Sequence, residues 1–223
     1  FCNVTVDQDV QNALRDIALA TTAAMQDLAL APTRYEPSEK YGGHEYVYLP
    51  IGDVLVQRLK DLHEAQNLPT NNFILDDTSK IFCYFARFTD TQGRQLTAIR
   101  RANQFKGVLK SRLIRIMTDA LRLIEDRVFK LDNDFDILID SRRVHILRPS
   151  SFEFIGKLQG AVLAAVPQNI AAIQTDLPFV ELGAIQTYAT KHPRAARYLA
   201  SIRGSLEMQN IDKTALKRLC RKT

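Results

Sequence analysis

The clearest alternation of hydrophobic and polar positions lies between residues 135 and 158. Hydrophobic residues take every second position from Phe135 to Ile139, and the alternation resumes after a polar turn from Val144 to Arg148. Alternation with a period of two on both sides of a turn predicts a β-hairpin. Pro149 ends the pairing, and Ser150 with Glu153 three residues later is typical of a capping box. We therefore expect this hairpin to lead directly into a helix.

The preceding part of the chain predicts a mixture of strands and two helices. We expect strands at Phe1–Val6, Glu45–Ile51 and Lys80–Thr89, a return strand through Leu96, Ala98 and Arg100, a helix capped by Asp7 or Asp9 that ends near Pro32, and a second helix capped by Asp53. Residues 105–124 fit either a helix or short strands, and we favour strands from Arg112 onward.

After Ser150 the pattern is helical throughout. We expect helices at Ser151–Val166, Gln168–Thr175, Phe179–Lys191, from Pro193 to a stop at Gly204, and from a cap at Asp212 to Arg221. The predicted fold class is α+β: an antiparallel sheet of hairpins with an N-terminal helix, followed by a helical C-terminal region. We assign residues 1–149 to the sheet domain and residues 150–223 to a helical region that packs on it.

Composition supports a globular protein from a reducing compartment. Hydrophobic residues make up 46% of the 223 residues, enough to bury a sizeable core. Cys2, Cys83 and Cys220 are widely separated, which argues against a disulfide framework or a zinc site. We expect a cytoplasmic protein that reaches the inner face of the membrane only through a partner. The first residue is Phe1, and we expect the chain to be part of a longer protein.

Charge is strongly segregated along the chain. Residues 94–130 contain ten basic and three acidic residues, and residues 191–223 contain nine basic and two acidic residues, whereas the remaining segments are net acidic. Two basic blocks on an acidic protein predict binding of a polyanion. The candidate phosphate-contacting residues are Arg94, Arg100, Arg101, Lys106, Lys110, Arg112, Arg115, Lys191, Arg194, Arg197, Lys213, Lys217 and Arg218. Because neither block is interleaved with aromatic residues along the sequence, we expect contacts to the backbone of double-stranded DNA with little base reading.

Signatures of catalysis are sparse. The sequence contains no GxSxG, HExxH, GxxxxGK[ST] or GxGxxG motif, and its four histidines are scattered. A metal-dependent nuclease remains an alternative, with Asp136, Asp140 and Glu153 as magnesium ligands. The acidic residues from Asp132 to Asp136 are also explained as a turn whose side chains bond the backbone. We expect no cofactor and favour a protein without enzymatic activity over the nuclease.

Three segments in the order RRANQFKGVLK, VFKLDNDFDILID and VHILRPSSFEFIGKL resemble the KwaB family, the second protein of the two-gene Kiwa anti-phage defence system. The resemblance covers residues 81–158. It implies a cytoplasmic effector that binds DNA without strong sequence preference, associates with itself as a dimer, and acts with the membrane protein KwaA to hinder replication and late transcription of phage DNA. It assigns no catalytic residues.

Three functional hypotheses follow. The first is a non-enzymatic DNA-binding effector of phage defence. The second is the metal-dependent nuclease, and the third is an adaptor whose basic patches bind acidic protein or lipid surfaces.

Overall fold

The computed structural model describes residues 1–27, 32–42, 46–70, 81–102, 114–116, 121–123, 131–207 and 212–220, with side chains omitted at 27, 114–116, 121–123, 219 and 220. The helices are α1 (Gln8–Asp27), α2 (Gln57–Glu64), α3 (Pro149–Gly156), α4 (Gln159–Ala164), α5 (Val166–Asp176), α6 (Gly183–Ala189), α7 (Pro193–Glu207) and α8 (Lys213–Cys220). The strands are β1 (Thr33–Arg34), β2 (Val47–Pro50), β3 (Cys83–Thr89), β4 (Gln95–Arg101), β5 (Ile114–Ile116), β6 (Leu121–Leu123), β7 (Ile137–Ile139) and β8 (Arg143–Ile146).

Within these residues, six strands form one sheet in the order β1-β2-β8-β7-β4-β3, in which only the β1–β2 pair is parallel. Strands β5 and β6 pair separately and do not continue the larger sheet. The α+β class is therefore confirmed. The predicted hairpins β3–β4 and β7–β8 both form, with Ala86 opposite Ala98 and Ile139 opposite Val144.

Both faces of the sheet are covered, which explains why hydrophobic residues occupy both phases of β4 and β7. On one face, Ala98 and Leu138 pack with Phe135 against Ala18 of α1. On the other face lie Ile99, Ile137, Ile139, Val144 and Ile146, packed against Leu59 and Leu62 of α2 and against Phe152, Ile155 and Leu158. Helix α3 thus belongs to the core of the sheet, although it begins the helical part of the chain.

A further hydrophobic core lies within the C-terminal helices. Val162 of α4, Ile170 and Ile173 of α5 and Leu199 and Leu206 of α7 are buried there. None of the helices in the described residues is both long enough and apolar enough to cross a membrane.

The predicted helix starts have mixed outcomes. Asp7 accepts a hydrogen bond from the backbone N–H of Val10 at 2.9 Å, and Asp212 accepts from Thr214 and Ala215, so both caps are confirmed. The capping box at Ser150 is wrong. Pro149 itself occupies the first turn of α3, Arg148 is the N-cap, and the side chain of Glu153 points into a tertiary contact instead.

Several predicted boundaries are also wrong. Phe1–Val6 is not a strand, since Asn3 makes only an isolated bridge with Thr70. The helix predicted at Ser151–Val166 is interrupted at Lys157, which adopts a left-handed conformation with a φ of 56° and ends α3. Helix α7 continues past Gly204 to Glu207, and α6 is shorter than the predicted helix at Phe179–Lys191.

Candidate nucleic-acid interface

The buried guanidinium of Arg100 is held by carboxylates, so this residue is not a surface cation. Its side chain is 5% exposed, and it lies 3.1 Å from Asp132, 2.8 Å from Asp134 and 2.6 Å from Asp136. Burial alone would lower the pKa of Arg100, but Asp136, Asp132 and Asp134 outweigh it and raise that pKa. We therefore remove Arg100 from the candidate phosphate-contacting set.

Asp136 is equally committed to the fold. It is 1% exposed in its side chain, and besides Arg100 it accepts a hydrogen bond from the backbone N–H of Arg101 at 2.8 Å. Arg148 contacts the same carboxylate at 3.5 Å and also pairs with Asp134 at 2.5 Å. Both arginines contact Oδ1 of Asp136, and the Arg101 N–H bonds its Oδ2, so both oxygens that a magnesium ion would need are occupied. The two arginines also tie β4, the turn before β7 and the start of α3 together.

The other two candidate metal ligands lie elsewhere and have their own partners. Asp140 follows β7 whereas Asp136 precedes it, so about 13 Å of extended chain separates them. The carboxylate of Asp140 accepts hydrogen bonds from the backbone N–H groups of Arg142 and Arg143 and contacts His145 Nε2 at 2.9 Å. Burial alone would raise the pKa of Asp140, but these contacts lower it.

Glu153, the third, is bound at the joint between the sheet and the helical region. Its Oε1 atom accepts a hydrogen bond from the Tyr35 hydroxyl at 2.9 Å and forms an ion pair with Arg197 of α7. Burial raises the pKa of Glu153, and the two partners offset this only in part. No group of three or more His, Cys, Asp or Glu residues suited to a metal occurs among the described residues. Asp136, Asp140 and Glu153 therefore do not converge into the magnesium site of the nuclease hypothesis.

Three further candidate cations are neutralised by nearby carboxylates. Arg94 pairs with Asp90 at 2.7 Å in the β3–β4 turn, and Lys213 pairs with Asp176 at 2.5 Å between α8 and α5. Arg197 is engaged by Glu153 and also donates to the backbone carbonyl of Glu39 at 3.2 Å. The net attraction of these three sites for phosphate is reduced accordingly.

Arg101 stands apart because its partner is an aromatic ring. Its guanidinium lies 3.9 Å from the ring centroid of Phe154, a residue of α3 that is 46% exposed. In the described part of the chain no carboxylate lies within ion-pair distance of Arg101. Lys106, Lys110 and Arg112 lie outside the described residues, and Arg115 is described only as backbone, in β5.

The remaining four candidates are exposed residues of the helical region. Lys191 and Arg194 form the corner between α6 and α7, while Lys217 and Arg218 lie on α8. Lys217 lies 5.9 Å from the ring centroid of Phe179, four residues before α6, and Lys191 lies two residues after the end of α6. Helix α6 rises about 10 Å over its length, and the exposed Glu181 lies between Phe179 and its first residue. Among the described residues none of the four has a carboxylate partner.

The local sequence explains why the α6–α7 corner is cationic. No Asp or Glu occurs from Leu182 to Leu206, a stretch that includes all of α6 and nearly all of α7. Pro193 begins α7, and Ala196, Leu199, Ala200 and Leu206 turn one face of that helix into the core. The opposite stripe, with Arg194 and Tyr198, is left in solvent. The structure does not bring this corner into a described contact with the basic block at residues 94–130.

Sequence reasoning missed the exposed tyrosines of the same corner. Tyr188 and Tyr198 are each 59% exposed, and both flank the cations in space although they are several residues apart in the chain. The sequence of α7 did contain this information. Positions 194, 198 and 202 lie on one side of the helix at helical spacing, and the buried positions 196, 199 and 206 lie on the other. Phe1, Phe82 and Phe154 likewise form an exposed aromatic group beside Arg101, which their sequence separation conceals.

We compared the chain with known protein families, curated proteins and solved structures. No family model, curated protein or solved structure matches the chain. The candidate interface is therefore assigned from the residues of this chain alone.

Proposed function

We propose that this protein binds double-stranded DNA through phosphate contacts, with little sequence preference and without cleaving it. The observation that carries the proposal is the stretch from Leu182 to Leu206, which contains no Asp or Glu and includes α6 and nearly all of α7. Four exposed cations of the helical region have no carboxylate partner in the described residues: Lys191 and Arg194 at the α6–α7 corner, and Lys217 and Arg218 on α8. Exposed cations without carboxylate partners attract a polyanion and gain affinity by releasing its counterions.

The expected strength follows from the number of contacts. If all four cations each meet one phosphate, the slope of log affinity against log salt is about −3.6. Affinity would then fall about 150-fold between roughly 50 and 200 mM salt. Phosphate contacts fix position on the duplex but carry no sequence information, so similar affinities are expected for unrelated sequences.

The contacts of the acidic side chains favour a protein that blocks DNA over one that hydrolyses it. Asp136 is buried against Arg100 and Arg148, and Glu153 is held by Tyr35 and Arg197. Metal-assisted cleavage requires ligands that converge on one ion with open positions. The contacts of these carboxylates stabilise the fold instead. This supports a protein that acts by binding DNA and blocking access to it.

The biological role in the proposal comes from the resemblance to KwaB. By that resemblance the protein is an anti-phage defence effector in the cytoplasm, acting as a dimer recruited to the inner face of the membrane by KwaA. Binding of phage DNA there would hinder its replication and transcription.

Binding of a labelled duplex to purified protein, measured by fluorescence anisotropy, tests the proposal. We expect the variant with Lys191→Gln, Arg194→Gln, Lys217→Gln and Arg218→Gln to bind at least tenfold more weakly at low salt. The matched control removes four exposed cations outside the corner, with Arg15→Gln on α1, Arg142→Gln and Arg143→Gln at the β7–β8 turn, and Lys157→Gln after α3. Equal affinities for the two variants would overturn the assignment. Retention of acidic protein or anionic vesicles with no duplex binding would favour the adaptor hypothesis.

A further inference from the structure

The α6–α7 corner contains exposed aromatic rings, and binding to the phosphates of a duplex does not involve them. Tyr188 of α6 and Tyr198 of α7 are the most exposed aromatic side chains of the described residues, at 59% each. No hydrogen-bond partner for either hydroxyl lies in the described part of the chain. Large exposed apolar groups concentrated on one surface are typical of binding sites.

The rings and the cations of the corner form one connected surface. The ring of Tyr188 stacks on His192, with centroids 4.0 Å apart and planes inclined at 27°. Two residues later, Arg194 lies with its guanidinium 5.9 Å from the ring centroid of Tyr198. Ile185 and Ile202, one turn further along each helix, extend the exposed apolar surface to either side.

Proteins that bind single-stranded nucleic acid combine these two elements. A basic surface follows the phosphates, and exposed aromatic rings stack on successive bases. The bases of an intact duplex are stacked on one another and cannot reach such rings. We propose that the α6–α7 corner binds single-stranded DNA, with Tyr188 and Tyr198 stacking on unpaired bases while Lys191 and Arg194 contact the adjoining phosphates.

Charge complementarity favours DNA over a protein partner as the occupant. The stretch from Leu182 to Leu206 contains no acidic residue, and Lys191 and Arg194 have no carboxylate partner in the described residues. Protein interfaces are enriched in tyrosine and arginine but depleted in lysine at their centre, whereas a phosphate backbone requires cations such as Lys191 beside the stacking rings. The inference rests on the proposed function, since it adds single-stranded DNA to the duplex as a ligand of the same surface.

The test compares an oligothymidylate of about 20 nucleotides with a duplex of equal length, because a single binding surface of this size covers a few to about 16 nucleotides. Tyr188→Leu with Tyr198→Leu removes both rings while keeping apolar surface and net charge. We expect affinity for the oligothymidylate to fall at least tenfold and affinity for the duplex to change less than twofold. Tyr188→Phe with Tyr198→Phe, which keeps both rings, should bind the oligothymidylate as the wild type does.

The outcomes separate the inference from the proposed function. If the four-cation variant binds both probes more weakly and the Tyr→Leu variant binds both normally, stacking is overturned and duplex binding stands. If neither variant affects either probe, both proposals fail together. A Tyr→Leu variant that instead loses self-association in sedimentation, with unchanged binding of the oligothymidylate, would identify the corner as a contact between copies of the chain and would overturn the inference.

Discussion

Arg100 Nη1 lies 2.6 Å from Asp136 Oδ1, and both side chains are almost entirely buried. This ion pair links β4 to the residue that precedes β7, and Arg148 extends it to the start of α3. A charge buried in this way is stable only while its partner remains, because an unpaired buried charge carries a large desolvation cost.

Asp136→Asn is therefore expected to destabilise the fold by about 3 kcal/mol in the free energy of unfolding measured with urea. Asp134→Asn is the matched control, since Asp134 also contacts Arg100 but is 42% exposed in its side chain. Its expected cost is about 1 kcal/mol. Similar costs for the two substitutions would mean that burial does not set the strength of the cluster.

The joint between the sheet and the helical region gives a second prediction. Arg197→Met leaves the Glu153 carboxylate, which is 19% exposed, without its cation, and it removes the hydrogen bond to the carbonyl of Glu39. We expect a loss of about 2 kcal/mol in the free energy of unfolding. Arg194→Met, one turn earlier on the exposed side of α7, should change stability by about 0.5 kcal/mol or less. A stable Arg197→Met variant would show that the helical region is held without this pair.

Glu153 also predicts a dependence of stability on pH. Burial raises its pKa in the folded chain, so the folded state binds this proton more tightly than the unfolded state does. The stabilising contribution is complete below the ordinary glutamate pKa and is lost as pH rises through the higher folded-state pKa. Urea denaturation at several acidic pH values should therefore show the wild type losing stability relative to Glu153→Gln as pH rises.

Asp140 provides the control of opposite sign. Its pKa is lowered in the folded chain, so its contribution is present above the ordinary aspartate pKa and is lost as pH falls through the folded-state value. The wild type should therefore lose stability relative to Asp140→Asn as pH falls. If the stability difference from Glu153→Gln and the difference from Asp140→Asn changed in the same direction with pH, the assigned contacts would be contradicted.

Local patterns predicted the parts of the fold in which neighbouring residues act together. Alternation located β7 and β8, and aspartates located the start of α1, with Asp7 rather than Asp9 as its cap, and the start of α8, with Asp212 as its cap. The capping box at Ser150 failed because Pro149 moved the start of α3 upstream and because Glu153 found partners far away in the chain, at Tyr35 and Arg197.

The site was harder to predict, because a count of cations takes no account of their partners. Arg100 lies in a basic block of the sequence, yet carboxylates 32 and 36 residues later neutralise it. Conversely, the helical spacing of Arg194 and Tyr198 was visible in the sequence, but only the burial of Leu199 and Ala196 shows which face of α7 remains exposed.

The salt dependence of duplex binding tests the central claim most directly. The slope of log affinity against log salt should be close to −3.6 or steeper for the wild type. It should become shallower by about 3 to 4 in the variant that lacks the charges of Lys191, Arg194, Lys217 and Arg218. A wild-type slope near zero, or an equal slope in the two proteins, would contradict the account.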